Sequence, residues 1–185
     1  MNLFKINKYL VFSLTFSLVN ICLVAQDHFH GLHHWEIPSK DPDRIILTFN
    51  GDPATKRAVT WRTDSSVKKA KAQIAVADVN SSFVKEAITY FANTEEFDLG
   101  LYKSNKSLIV NYHSVVFENL NPNTLYAYRV GYDENWSEWI QFKTANDNYS
   151  PTQFVYFGDA QNDILNHWSR VIRMAYRTAP NASFV

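Results

Sequence analysis

The residues best suited to chemistry lie at 158–163, where Gly-Asp-Ala-Gln-Asn-Asp directly follows the apolar run 153–157. An apolar run without polar alternation is typical of a buried parallel strand, and functional groups collect at the carboxyl ends of such strands. Asp159 stands at one of these ends, after a glycine that we expect to allow a sharp turn. Its carboxylate suits a hard or borderline cation. From the residues alone, a metal ligand and a helix-capping or turn-forming aspartate both remain open.

The segment after this loop predicts a helix, because apolar residues recur at helical spacing from 164 to 177 and Asn162 or Asp163 is available as the N-cap. The last residues, 182–185, predict the beginning of a second strand. Strand, loop and helix form the opening unit of an α/β domain. Such a domain needs several more units to bury its sheet, so we expect the chain to stop within the domain.

Seven short segments before this unit are rich in β-branched and aromatic residues and are separated by polar turns. About 100 residues and seven strands are typical of an immunoglobulin-like or fibronectin-like antiparallel sandwich. We expect Trp61 to be a core residue, and Tyr126, Tyr128 and Val130 to share one face of the sixth strand. The outer face of that strand is less polar than a solvated face, which suggests that another domain covers it. The seven predicted strands are 44–49, 57–62, 71–77, 84–91, 108–118, 125–132 and 138–143.

The amino terminus has the layout of a cleavable signal peptide: Lys5 and Lys8 precede an apolar run, and Ala25 precedes polar residues. An uncleaved anchor is the alternative, although the run is short for a membrane span. We therefore expect a secreted or periplasmic protein that has no membrane contact after signal removal. The predicted organisation is a signal peptide at 1–25, a His-rich lead-in at 26–42, a sandwich at 43–145, a linker at 146–152 and the α/β unit at 153–185.

Four histidines in the lead-in, His28, His30, His33 and His34, form the most concentrated set of potential metal ligands after the signal peptide. Four imidazoles within seven residues can reach one Zn²⁺ or Cu²⁺ ion. Their irregular spacing near a predicted terminus favours a solvated tail instead.

Trp136 and Trp139 flank a predicted hairpin and have faces on which a sugar could stack. Core or interdomain packing is the more common role of such aromatic side chains.

The charge balance argues against one class of partner. Lysine and arginine total 18, aspartate and glutamate total 18, and the formal net charge is zero. No excess positive field is available to hold the phosphates of a nucleic acid. We therefore expect no nucleic-acid partner.

The order of these parts carries a family resemblance. The sandwich segments PDRIILTFNGDPATKRAVTW, YHSVVFENLNPNTLYAYRVGY and WSEWIQFKT are followed by QFVYFGDAQND. Together they resemble the purple acid phosphatases and related metallophosphoesterases that carry a fibronectin-like N-terminal domain. The resemblance runs from about residue 42 to 185, and the coupling of the sandwich to FGDAQ is its most specific part.

The resemblance implies that Asp159 is the first ligand of a two-metal site that hydrolyses phosphate esters, with iron paired with iron, zinc or manganese. Relatives commonly have Gly or His at the position of Gln161, which here either offers its carbonyl oxygen to the metal or hydrogen-bonds the loop. The family's other ligand motifs would lie beyond Val185. One aspartate cannot hold a metal pair, so we expect this chain by itself to be inactive.

A second hypothesis belongs to a different class of function. The fibronectin-like domain could be an exported module that binds a protein or glycan, with the Gly-Asp segment as a relic. Fold resemblance alone does not separate a module from an enzyme. The coding sequence beyond Val185 would discriminate them.

Overall fold

The computed structural model describes residues 36–100, 107–161 and 163–185. Nine strand segments form two antiparallel sheets that face each other as a sandwich, and a short helical unit follows them. The predicted fold class is therefore correct. The strands are β1 (Asp43–Thr48), β2 (Arg57–Asp64), β3 (Lys71–Val76), β4 (Ile88–Phe91), β5 (Asn93–Asp98), β6 (Ile109–Phe117), β7 (Leu125–Tyr132), β8 (Asn135–Trp136) and β9 (Ile140–Lys143).

The first sheet has the order β1-β2-β6-β5. Its centre is the β2–β6 pair, which runs without interruption from Arg57 opposite Phe117 to Asp64 opposite Val110. The second sheet has the order β4-β3-β7, and both β8 and β9 pair with β7. Every strand pair described in the two sheets is antiparallel.

The core lies between the sheets and is built from alternate residues of their central strands. Trp61 is completely buried, as predicted, and so is Phe117 on β6. From β7, Tyr126, Tyr128 and Val130 are buried together, which confirms the predicted inward face of that strand. The Tyr126 hydroxyl accepts a hydrogen bond from the Asn121 backbone at 2.9 Å. This bond resembles the tyrosine corner of immunoglobulin-like sandwiches.

The structure shortens the strand predicted at 84–91 and adds two strands that were not predicted. Residues 84–86, predicted as part of a strand, belong to a 3-10 helix at Ser81–Glu86, in which the Asn80 side chain accepts a hydrogen bond from the Ser82 backbone. Asn80 thereby caps the turn, and the strand begins only at Ile88. The strands β5 and β8 were not predicted, because β5 has a single large apolar residue and β8 has only two residues.

The lead-in is tied to the sandwich at its described end. The Asp64 backbone N–H donates to the Ser39 carbonyl at 2.7 Å.

Within the sandwich, Arg62 on β2 is completely buried and donates from Nε and Nη2 to the two oxygens of Asp43 on β1, at 2.8 and 2.5 Å. This bidentate bond raises the pKa of the guanidinium, and it supplies the counter-charge that a buried cation requires.

The carboxyl-terminal unit is smaller than the sequence predicts. Residues 153–157 form no extended strand: Phe154 makes one parallel bridge to Phe184. A π-helical turn at Ile164–Trp168 leads into α1 (Ser169–Thr178), close to the predicted helix at 164–177. Within the described residues, the pairing of the 153–157 segment is limited to this isolated bridge. The bridge and the helix that follows it have the order expected at the beginning of an α/β domain, and none of the described residues of this unit is buried.

None of the helices in the described ranges is long and apolar enough to cross a membrane.

Candidate metal site in the carboxyl-terminal unit

Asp159 lies in the loop that follows the Phe154 bridge, and its side chain is exposed. The Gln161 amide nitrogen donates a short hydrogen bond to Asp159 Oδ2. The amide must present its nitrogen here, because a carbonyl oxygen turned toward a carboxylate would be repelled. The two residues named as metal-ligand candidates are therefore brought together, with Gln161 hydrogen-bonded to Asp159.

The loop borders an open recess whose other wall is the start of the helical segment. Asp159 and Gln161 line one side, and His167, Trp168 and Val171 line the other. The Trp168 ring packs edge-on against Phe157 with centroids 5.1 Å apart. Because Phe157 precedes the loop and Trp168 follows it, this contact brings the two ends of the loop together.

Asp163 occupies the N-cap position, which was one of the two predicted alternatives, but neither its side chain nor the glycine acts as expected. Asp163 has a left-handed conformation (φ 47°) and makes no capping hydrogen bond with its side chain. Its carboxylate lies 3.9 Å from His167 Nε2. Gly158 does not have a positive φ, and a Cβ there would contact nothing, so the described structure gives no steric reason for glycine at 158.

The recess supplies few donors for a cation. Among the described residues, no group of three or more His, Cys, Asp or Glu side chains is placed to hold a metal ion. Asp159 can serve as an oxygen ligand, because its carboxylate is exposed. An ion typically has four or more donors, however, and Asp159 supplies only part of such a set. His167 was not singled out from the sequence, although its spacing from Asp163 places it on the first helical turn facing this loop.

The family model described as "Purple acid Phosphatase, N-terminal domain" matches residues 42–144, slightly more than half of the chain. The chain belongs to the purple acid phosphatase family. The matched segment spans β1 to β9 and ends before the predicted linker at 146–152. The resemblance inferred from the residues is thereby confirmed for the sandwich. No curated protein matches the chain.

Solved structures similar to this chain include fibronectin type III domains and a redesigned β-sandwich protein. The fn3 domain of human contactin 1 is 16% identical, with a TM-score of 0.41, and the match covers 62% of this chain and 85% of that one. The third fibronectin III domain of the human KIAA0343 protein is 12% identical, with a TM-score of 0.34 and coverage of 66% and 94%. Similarities of this size carry no argument about function.

An aromatic cluster lies on the outer face of β7. The Arg129 guanidinium lies over the Trp136 ring at 4.4 Å and over the Trp139 ring at 4.6 Å. Lys71 Nζ also lies over Trp136 at 5.0 Å, and Phe83 packs edge-on against Trp139 at 5.1 Å. Both tryptophans thus pack against the outer face of the sandwich, and they cover part of the β7 face that the sequence assigned to another domain.

Some sequence predictions fall outside the described residues. The signal peptide, the four clustered histidines and Asn162 belong to this group. They remain predictions.

Proposed function

We propose that this chain is the N-terminal part of a secreted or periplasmic metal-dependent phosphoesterase of the acid phosphatase type, and that Asp159 is a metal ligand in the complete enzyme. The observation that carries the proposal is the order of parts: a purple acid phosphatase N-terminal domain is followed, after a short linker, by a Gly-Asp loop between a parallel bridge and a helix. Its substrate would be a phosphate ester.

Asp159 and Gln161 have different roles in this proposal. The Gln161 amide holds Oδ2 of the carboxylate, so that Oδ1 is the oxygen better placed to meet a cation. Gln161 is then a positioning residue and not a ligand. The remaining donors would come from outside the described residues, since these contain no further ligand cluster. A two-metal site supplies Lewis acidity and a metal-bound hydroxide for phosphate-ester hydrolysis when both ions are bound.

The test uses the complete natural gene product, with and without Asp159→Ala, and measures metal content and p-nitrophenyl phosphate hydrolysis. We expect Asp159→Ala to lower both, by more than the roughly 10- to 100-fold typical of losing a residue that only supports a ligand. Gln161→Ala should fall within that range. Asp147→Ala, an exposed linker aspartate outside the recess, is the matched control and should be neutral.

Two results would contradict the proposal. One is a complete gene product that is metal-free and inactive. The other is an Asp159→Ala variant with the metal content and turnover of the unaltered enzyme. The first result would favour the exported binding module instead. The second would show that Asp159 is not a ligand of the metal site.

A further inference from the structure

The end of the sandwich from which the linker departs is organised around Arg57. This side chain is buried, and its Nη1 donates to the carbonyls of Pro53 and Lys56 at 2.6 and 2.8 Å. Its Nη2 reaches the Lys143 carbonyl at 3.5 Å, at the last residue of β9. Burial lowers the pKa of the guanidinium, and Asp52 opposes that shift. Several carbonyl partners on two segments hold Arg57 in one orientation.

The guanidinium contacts two aromatic rings. Its central carbon lies 4.6 Å from the Phe49 ring centroid and 5.7 Å from that of Phe142. Phe142 belongs to the sandwich, where it packs against core tyrosines. Phe49 follows β1 and is about half exposed. Arg57 therefore connects the core to a ring at the surface.

The same Phe49 ring meets the carboxyl-terminal unit. Phe184 packs edge-on against Phe49 with centroids 5.3 Å apart and an interplanar angle of 85°. Phe184 also stacks face to face on Phe154, at 5.1 Å and 3°. These two residues form the parallel bridge of the unit, where the Val155 N–H donates to the Phe184 carbonyl at 3.1 Å. A continuous column of side chains is thus formed by Phe142, Arg57, Phe49, Phe184 and Phe154, in that order.

We propose that Phe49, held by Arg57, is the docking surface on which the sandwich fixes the Phe154–Phe184 bridge of the carboxyl-terminal unit. The partner of this surface is a segment of the same chain, and the sandwich acts as a platform for it. The bridge needs such support because its own two residues are exposed: Phe154 is 58% and Phe184 is 39% exposed. A bridge without buried side chains is marginal in water.

The docking has a consequence for the candidate metal site. Asp159 follows Phe154 by five residues, so a sandwich that fixes the bridge also limits the positions open to the Gly-Asp loop. This consequence rests on the proposed function of Asp159. The docking itself does not, because it concerns contacts between side chains of the described residues.

The test is hydrogen exchange on the full chain, comparing unaltered protein with Phe49→Ala. The Val155 and Ser183 amides bond across the bridge, to the Phe184 and Gln153 carbonyls. Loss of the Phe49 ring should speed their exchange about tenfold, as expected for removing an aromatic contact. The amides of β2 and β6 should exchange at unchanged rates, which shows that the sandwich stays folded. Neither measurement requires a metal or a substrate.

Phe91→Ala is the matched control, because Phe91 is also a sandwich phenylalanine near a strand end and is 84% exposed. It should leave the Val155 and Ser183 amides unchanged. Equal exchange of these two amides in Phe49→Ala and unaltered protein would overturn the docking proposal. Faster exchange together with an inactive, metal-free complete product would leave the docking standing and remove only the proposed function.

Discussion

His113 is a completely buried titratable base, and its ring makes two hydrogen bonds. Its Nε2 lies 2.8 Å from Thr63 Oγ1, and its Nδ1 lies 2.9 Å from Thr94 Oγ1. The Thr63 hydroxyl donates its proton to the Asp64 carbonyl at 3.0 Å, so Thr63 accepts from His113. Thr94 must then donate to Nδ1. This network specifies a neutral imidazole with its proton on Nε2.

The pH dependence of stability follows from this burial. Burial lowers the pKa of His113 to about 4, whereas the unfolded chain has the ordinary value of about 6.5. Between these values the unfolded state binds a proton that the folded state does not, so stability is lost as the pH falls from 6.5 towards 4. The loss should total roughly 3 kcal/mol, measured as the free energy of urea unfolding at pH 7.5 and pH 4.

The variant His113→Gln isolates this contribution. A glutamine amide also donates and accepts hydrogen bonds but does not titrate, so the variant should be less stable at pH 7.5 and should lose less stability on acidification. His167→Gln is the control, because the His167 side chain is 69% exposed. This variant should lose as much stability on acidification as the unaltered protein. If unaltered protein and His113→Gln lost equal stability on acidification, the account of His113 would be wrong.

At the scale of elements, the sequence predicted the sandwich well where strands face the core. Trp61 and the tyrosines of β7 alternate with outward residues, and this alternation identified their strands and faces. The β5 segment, Asn93–Asp98, gave no such signal, because it is an edge strand paired only with β6 and most of its side chains are exposed. The partner of His113 on that strand, Thr94, therefore could not be predicted.

The sequence predicted the position of the candidate site but not all of its contacts. The position of Asp159 followed from an apolar run and a helical periodicity, which are local signals. Its hydrogen bond with Gln161 was one of two alternatives, since residue spacing does not say which amide atom faces the carboxylate. The column from Arg57 to Phe184 was not predicted, because it joins segments more than 100 residues apart in the sequence.

The aromatic cluster on β7 supports a prediction at this scale. Arg129→Lys keeps the positive charge but replaces a planar group that lies over two tryptophan rings. Loss of both contacts should destabilise the sandwich by about 1 to 2 kcal/mol, measured by urea unfolding. Arg44→Lys is the control: Arg44 is exposed, so the same change should alter stability by less than about 0.5 kcal/mol. Equal stability of the two variants would contradict a stabilising role for the cluster.

At the scale of the whole molecule, the two parts of the chain differ in how they are stabilised. Every residue of the hydrophobic core cluster lies in the sandwich, between Val59 and Val130. The described residues from 153 onward include no buried residue, and large apolar side chains of the helical segment remain exposed, with Leu165 at 76% and Met174 at 59%. The sandwich therefore contains the interactions needed to fold alone, whereas the carboxyl-terminal unit depends on further contacts.

Removal of the carboxyl-terminal unit should consequently have little effect on the sandwich. We expect the segment 36–145 to unfold cooperatively with a Tm within about 5 °C of that of segment 36–185, because a change of about 1 kcal/mol shifts the Tm of a domain this size by a few degrees. Circular dichroism during heating measures both. In the shorter segment Phe49 loses its contact with Phe184 but keeps the one with Arg57. The loss of stability at this end of the sandwich should therefore be small. A decrease of about 10 °C or more would show that the carboxyl-terminal residues contribute substantially to the stability of the sandwich.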